Sequence, residues 1–443
     1  MPRNTPEKFM SKTAQFRQIA LASTLLIGLA PAAAHAGGFY IVEQSAKATG
    51  RAYSGEVADT GPESLWWNPA AIAGQKGWAG NISASGILPH AKITNTGTLI
   101  VRPGQAPAAI GGDQVTKDPI DNGLVPSGAI SYGLSNKIAL GLAISAPYNF
   151  TTNYPATSWA RYTAMKTELR TIDIQPGIAI TPIEGLRLGV ALNIEYTKAE
   201  LGNALPNLSP LLADGTQKLK GDGWDYGFSA GAQFQRGPVS IGASYKSSVK
   251  HTLTGSVETA GLLGPLAGQN GTISNITASF STPWQAVMGV RYAITPAITL
   301  NGQVTATGWS KFDAIRLGAP LNAALPQNYR DTMTYSAGFD VAVSPRTTLR
   351  AGLSRDLAPV RNNFRDARVP DANRWVLAMG ASHAVSRHAT LDLGVNYLKL
   401  DDAPINRITA AYAGSPVQTP VLTNGTMSDA SVLVLSAGAR FAF

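Results

Sequence analysis

The chain has 443 residues, 44% of them apolar and only 14% charged, with no cysteine and a formal net charge of +9. Soluble domains carry about 25% charged residues, so this composition argues against an ordinary water-exposed globule. The missing cysteines exclude disulfides and thiolate chemistry, and no basic run interleaved with aromatics supports nucleic-acid binding.

At the N-terminus Lys8, Lys12 and Arg17 precede an apolar stretch, 19–30, and Ala34-His35-Ala36 offers a small-x-small cleavage site. This pattern predicts a secretory signal peptide over 1–36, with the mature chain beginning at Gly37. The apolar run is too short for a membrane anchor, which needs about 20 residues. Losing Arg3, Lys8, Lys12 and Arg17 together with Glu7 leaves a net charge of +6, an excess suited to a mildly basic lumen that favours anionic solutes.

Residues 37–76 do not alternate. They hold Gly50-Arg51-Ala52-Tyr53-Ser54-Gly55-Glu56 and then Trp66-Trp67-Asn68-Pro69-Ala70. A disordered leader seldom carries tryptophans, so this compact stretch is expected to fold. Asn68, Pro69 and Ala70 are candidate gating residues, because an Asn side chain satisfies backbone groups in a tight turn that Pro rigidifies.

From residue 77 to 443 no stretch is apolar enough for a spanning helix, and apolar atoms must be hidden by alternation. Short turns at 135–137, 181–185, 236–238, 295–297, 344–346 and 386–388 punctuate alternating runs. Longer, irregular connections lie between them, for example 89–124, 203–222, 258–274 and 359–372. Short turns on one side and long loops on the other are the asymmetry of an outer-membrane barrel, and six turns with a pairing at each end give fourteen strands.

Individual strands agree. Leu186, Leu188, Val190, Leu192, Ile194 and Tyr196 share one face, opposite Arg187, Gly189, Ala191, Asn193 and Glu195. Leu391, Leu393, Val395 and Tyr397 repeat the pattern opposite Asp392, Gly394 and Asn396, and Trp284, Met288 and Tyr292 put aromatics at both interfaces. The chain closes on Leu433, Leu435, Ala437, Ala439, Phe441 and Phe443, an apolar face ending on an aromatic, with Ser436, Gly438 and Arg440 turned the other way. The fold class expected is therefore all-β transmembrane: a 14-stranded antiparallel outer-membrane β-barrel over 77–443, plugged by a small segment over 37–76.

Three groups of residues could carry chemistry. In the third strand Ile138, Leu140, Leu142 and Ile144 mark the lipid face, Gly141 is the natural place for a kink, and Pro147 removes a ladder donor. Strand parity turns Lys246, Lys250, Arg291, Lys311 and Arg350 inward. They could meet a ligand carboxylate, which needs a cation in an apolar pocket, or pair with lumen acids such as Asp340 and Asp392. Leu205, Leu208, Leu211 and Leu212 crowd the connection before the sixth strand, and Leu262, Leu263 and Leu266 crowd the one before the eighth. Such leucines either pack the loops on each other or form a ligand-binding groove.

In order along the chain, the 50–56 stretch, Asn68-Pro69-Ala70, Tyr245-Lys246-Ser247-Ser248-Val249-Lys250, Trp309-Ser310-Lys311-Phe312 and Pro370-Asp371-Ala372-Asn373-Arg374 resemble the FadL-type outer-membrane transporters for long-chain fatty acids and other hydrophobic compounds. The resemblance covers nearly the whole mature chain. It implies a fourteen-stranded barrel plugged by an N-terminal hatch, capture of a hydrophobic ligand between extracellular loops, transfer to a lumen pocket and hatch-gated release, with a kink in the third strand opening sideways to the membrane. Transport would be passive. Long-chain fatty acids are the first substrate expected, with uptake of aromatic hydrocarbons or a general hydrophilic porin as alternatives.

An enzyme is not expected. There is no Gly-x-Ser-x-Gly, and His90, His251, His383 and His388 sit on separate segments. No cofactor or metal is called for. The partners expected are a hydrophobic small-molecule ligand, outer-membrane lipid and lipopolysaccharide, with no nucleic acid, and the protein is expected as a monomer in the cell outer membrane.

Overall fold

The computed structural model describes residues 37–443; the signal peptide expected over 1–36 lies outside the described residues. A closed antiparallel barrel of fourteen strands forms the wall. Its first half runs through β1 (Gly77–Asn95), β2 (Gly123–Gly133), β3 (Ile138–Ser145, resuming as Asn149–Asn153), β4 (Lys166–Ile183), β5 (Leu186–Leu205), β6 (Gly215–Arg236) and β7 (Val239–Lys246, resuming as Lys250–Ala260). The second half is β8 (Gly271–Ser281, then Trp284–Ala293), β9 (Ile298–Gly308), β10 (Thr332–Ser344), β11 (Thr347–Asp356), β12 (Arg374–Ala384), β13 (Ala389–Leu400, then Ala403–Ala411) and β14 (Thr419–Ala442). β1 pairs with β14 from Ala79↔Ala442 to Asn95↔Gly425, so the sheet has no edge left to pair with another chain.

Alternation decides which side each residue takes. Val190, Leu192, Met288, Leu393 and Tyr397 are exposed on the outside, whereas Asn193, Glu195, Asp392 and Asn396 are buried inside. No water enters a hydrocarbon layer, so a wall whose backbone groups are all paired strand to strand is the stable solution for these sequences.

Two of the long connections are shorter than the sequence suggests. β5 and β6 continue their ladder out to Leu205↔Gly215, so the loop between them is only 206–214, and β7 pairs with β8 out to Thr259↔Gly271. The reason is solvation. Beyond the membrane the outer face of a strand meets water in place of lipid, the apolar half of the alternation disappears, and Lys218 and Lys220, within 203–222, read as loop.

Ahead of β1, residues 37–73 pack against the inner face of the wall. Short helical turns at Ala46–Thr49, Glu56–Ala58, Pro62–Ser64 and Pro69–Ile72 lie against the inner wall. The wall is lined with glycine where they touch it: a Cβ at Gly352 would run into the Arg51 carbonyl oxygen, and one at Gly231 into the Asn68 side chain. Other wall glycines, Gly189, Gly242, Gly338, Gly380 and Gly394, meet successive stretches of the same segment.

Candidate functional site

Three features come together between the N-terminal segment and the wall: a cage of aromatic rings, a break in β3, and a network of buried charges.

The cage is built around Phe39. Its ring lies 4.9 Å from Trp309, 5.0 Å from Phe312 and 5.8 Å from Tyr148, all edge-on. Tyr329 packs on Phe312 at 5.0 Å, and Phe280 closes the other side. Edge-to-face rings at these distances are mutually attractive by about 0.5–1.5 kcal/mol per pair beyond their burial. From the cage a line of rings continues through Tyr148 to Tyr40 at 5.6 Å and from Tyr40 to Trp66 at 5.8 Å. It ends at Lys246, whose Nζ lies 4.5 Å over the Trp66 ring and 3.7 Å from Asp173. Beside the cage His251 is fully buried, with Glu195 at 3.2 Å and Asp225 at 3.4 Å on its two ring nitrogens. The N-terminal end of the segment is held there by Asp371, which accepts from the Gly37 and Gly38 amides at 3.1 and 3.0 Å.

The break in β3 falls at Ala146-Pro147-Tyr148. Below it β2 and β3 pair regularly from Gly133↔Ala139 to Gly128↔Ile144. Above it an isolated bridge joins Ile120 to Thr152. Between these points residues 123–127 of β2 pair with β1 alone, so the wall has a window. The N-terminal segment closes it. Ile41 donates to the Pro147 carbonyl at 2.7 Å, and Tyr40 pairs antiparallel with Tyr148. Gln44 donates to the Ala146 carbonyl and accepts from the Ala146 amide, both at 3.1 Å, while Ser127 Oγ donates to the Gln44 carbonyl at 2.7 Å. Gln44 thus satisfies the Ala146 amide and carbonyl of β3 and takes a side-chain hydrogen bond from Ser127 of β2, bridging the two strands where they do not pair.

The charges form one network. Arg51 meets Glu56 at 2.5 Å, Asp59 at 2.5 Å and Asp340 of β10 at 2.9 Å. Arg291 joins Asp59 at 3.3 Å and Asp340 at 2.8 Å, and Arg350 reaches Asp340 at 3.1 Å. Lys47 pairs with Asp59 at 2.9 Å and Glu63 at 2.7 Å, and Arg440 bridges Glu63 to Asp392. Lys47, Arg51, Arg291, Arg350 and Arg440 balance Glu56, Asp59, Glu63, Asp340 and Asp392. Buried pairs of this kind add little net stability but penalise any arrangement that strands one partner, so they define how the segment sits.

Among the expected gating residues, Asn68 caps the turn that Pro69 opens, accepting from the Ala70 amide at 3.0 Å. Its Nδ2 also donates to Val57 O at 2.7 Å, Ala232 O at 3.2 Å and Ala243 O at 3.4 Å, tying the segment to β6 and β7. Gly141 is not at the kink. It lies in the unbroken part of β3, opposite Ser131 and Gly177, where Ile72 and Leu65 of the segment pack on it.

Of the five cations placed inward by parity, Lys246, Arg291 and Arg350 are inside, but Lys250 and Lys311 are exposed. The interruption of β7 at 247–249 shifts its alternation by one, so His251 takes the inward place instead. Lys311 sits in a helical turn, Trp309–Lys311, which sends Trp309 and Phe312 inward and the lysine out. In the loops Leu205, Leu262 and Leu266 are buried together, with Leu208 against them. Leu211 stays 93% exposed, and Leu212 and Leu263 are exposed beside it. Sequence reasoning missed Phe39, Gln44, His251, Asp59 and Trp309 as parts of the site. Only Trp309 stood in a motif that could have flagged it.

Comparison with known proteins follows the geometry. Residues 27–443 match the family model described as outer membrane protein transport protein (OMPP1/FadL/TodX). The long-chain fatty acid transport protein of Escherichia coli O6:H1 is 25% identical over 88% of this chain and 92% of its own. Outer membrane protein P1 of Haemophilus influenzae is 24% identical over 87% and 90%. Among solved structures, a Pseudomonas aeruginosa FadL homologue superposes with a TM-score of 0.80 at 20% identity, over 91% of this chain and 99% of that one. The Pseudomonas putida toluene transporter TodX gives 0.64 at 14%, over 90% and 99%.

Proposed function

This chain belongs to the OMPP1/FadL/TodX family of outer membrane transport proteins, and from that premise we propose that it takes up long-chain fatty acids passively, by a route that its N-terminal hatch keeps closed. A ligand lands on the exposed leucines of the extracellular loops, Leu211, Leu212 and Leu263. It passes into the aromatic cage, where its chain replaces Phe39 among Tyr148, Trp309 and Phe312. Lys246, at the far end of the line of rings, is the cation that meets the carboxylate. Displacing Phe39 pulls on Tyr40, Ile41 and Gln44, and these are the residues that close the window between β2 and β3. The ligand then leaves sideways into the bilayer.

The observation that carries this reading is the window itself, with its closure supplied by the same short segment that fills the cage. A hydrophilic porin fits less well, because Thr49, Ser54, Glu56 and Asn68, polar groups inside a barrel, have no exposure to water. Two of the lumen cations, Arg291 and Arg350, are already held by Asp340. That favours, as a second reading, neutral aromatic hydrocarbons taken by the same route.

Uptake of labelled oleate and of labelled toluene by cells lacking their own transporters separates the two. Restored oleate uptake, lost in Lys246→Ala, supports the first reading. Toluene uptake without oleate uptake moves the assignment to the second, and neither, with the barrel folded in the outer membrane, refutes both.

A further inference from the structure

The outer wall of β4, β5 and β6 carries a second feature that the transport route does not use. On these strands even-numbered residues face outward. On β5, Leu186 to Tyr196 forms the lipid face, and ten residues span about 34 Å along a strand. At a tilt of roughly 40° that becomes about 26 Å, the height of the apolar band of an outer-membrane barrel. Tyr196 and Trp224, 5.1 Å apart, therefore stand at the outer interface.

Immediately beyond them the wall turns charged. In register come Arg170, Lys198 and Asp222, then Glu168, Glu200 and Lys220, then Lys166 and Lys218 on either side of Gly202. The carboxylates of Glu168 and Glu200 are only 10% and 11% exposed, covered by the cations around them. Lys166 lies 3.0 Å from Glu168, Arg170 2.9 Å from Glu168, and Lys218 3.6 Å from Glu200. On these three strands five cations stand against three acids, and with Glu258 of β7 in register with Lys218 the patch still carries a cationic excess; Lys166, Arg170, Lys218 and Lys220 remain 38–50% exposed.

We propose that this patch is a docking site for the phosphorylated glycolipid of the outer leaflet, lipopolysaccharide. Its phosphates lie on Lys166, Arg170, Lys198, Lys218 and Lys220, and its acyl chains lie below, against Ile172, Tyr196 and Trp224. The two sunken carboxylates hold the cations at fixed spacing, so little side-chain entropy is lost when a phosphate arrives. Charge-assisted hydrogen bonds from ammonium and guanidinium to phosphate are stronger than neutral ones. The height is right as well, since the cations begin one rank above the aromatic girdle, where headgroups sit. A second copy of this chain is the poorer occupant, because a two-fold contact would bring the positive patch against itself.

The test uses the full-length barrel, purified in detergent and stripped of lipid. Its binding to purified lipopolysaccharide is compared with binding to the same lipid after its phosphates are removed. Wild type is expected to lose at least about tenfold in affinity for the dephosphorylated lipid, and added salt should weaken only the phosphorylated form. Inorganic phosphate at millimolar concentration should not compete. Lys198→Gln/Lys218→Gln/Lys220→Gln should reproduce the loss while keeping the heat-modifiable mobility of a folded barrel. Should that triple variant misfold, Lys220→Gln alone should still show a smaller loss. Equal binding of both lipids by wild type, unchanged affinity in the folded variants, or self-association through this face in place of lipid would overturn the proposal.

Discussion

At the scale of single residues, Asn68 and Phe39 do different jobs. Asn68 joins its own turn to the Val57, Ala232 and Ala243 carbonyls, so Asn68→Ala should remove these bonds and leave the Ala70 amide without its cap, at a cost of about 0.5–2 kcal/mol. The barrel should still fold, as judged by heat-modifiable mobility, while ligand uptake falls. Unchanged uptake would remove Asn68 from the gate. Phe39 occupies the cage that a ligand enters in the proposed route, so on that route Phe39→Ala should tighten binding of a fluorescent fatty acid to the purified protein, since nothing then has to be displaced. Weaker binding would mean that Phe39 is part of the ligand's own contact surface. Asn68 was legible in the sequence because a cap before a proline has a local signature. Phe39 was not, since its partners Tyr148, Trp309 and Phe312 are brought to it only by barrel closure. Parity also failed where it lost count: Lys250 and Lys311 follow irregular steps in β7 and β9, and one extra residue reverses inside and outside.

At the scale of elements, β3 is the strand that matters. Its alternation at Ile138, Leu140, Leu142 and Ile144 was readable, and so was the proline that interrupts it. The break nevertheless falls at Ala146-Pro147-Tyr148 and not at Gly141, because Gly141 is kept in the ladder and serves instead as the floor on which Leu65 and Ile72 rest. What closes the window, Gln44, lies about a hundred positions away in sequence, and no periodicity reports such a contact. Gln44→Ala should therefore loosen the seal without touching the barrel ladder. The measurement is protease cleavage within 37–76 in the folded protein, which should accelerate relative to wild type, and equal protection would show that the seal does not depend on this side chain. The loops teach the same lesson in reverse. The leucines were evident in the sequence, but their division into a buried trio and an exposed trio depends on how two loops and the last hairpin meet.

For the whole molecule, the barrel and its contents are fitted to each other. Wall glycines let the backbone of the segment lie directly on the strands, and ten balanced charges fix its orientation. Gly352→Leu should press on Arg51 and displace the segment while leaving the wall intact, raising permeability to small hydrophilic antibiotics. No rise in sensitivity, with the variant folded in the outer membrane, would show that the lumen stays blocked by other means. Strand number, handedness of the two faces and membrane placement were all readable from alternation and turn spacing, since those signals are local and repeated. The central claim is that transport requires the N-terminal segment to leave the β3 window. Tyr40 and Tyr148 face each other as a bridged antiparallel pair, a geometry that suits a disulfide, and the chain has no other cysteine. Labelled-oleate uptake by cells carrying Tyr40→Cys/Tyr148→Cys is the direct measurement. The account predicts no uptake under oxidising conditions and its return on reduction, whereas full uptake with the disulfide verified as formed would contradict it.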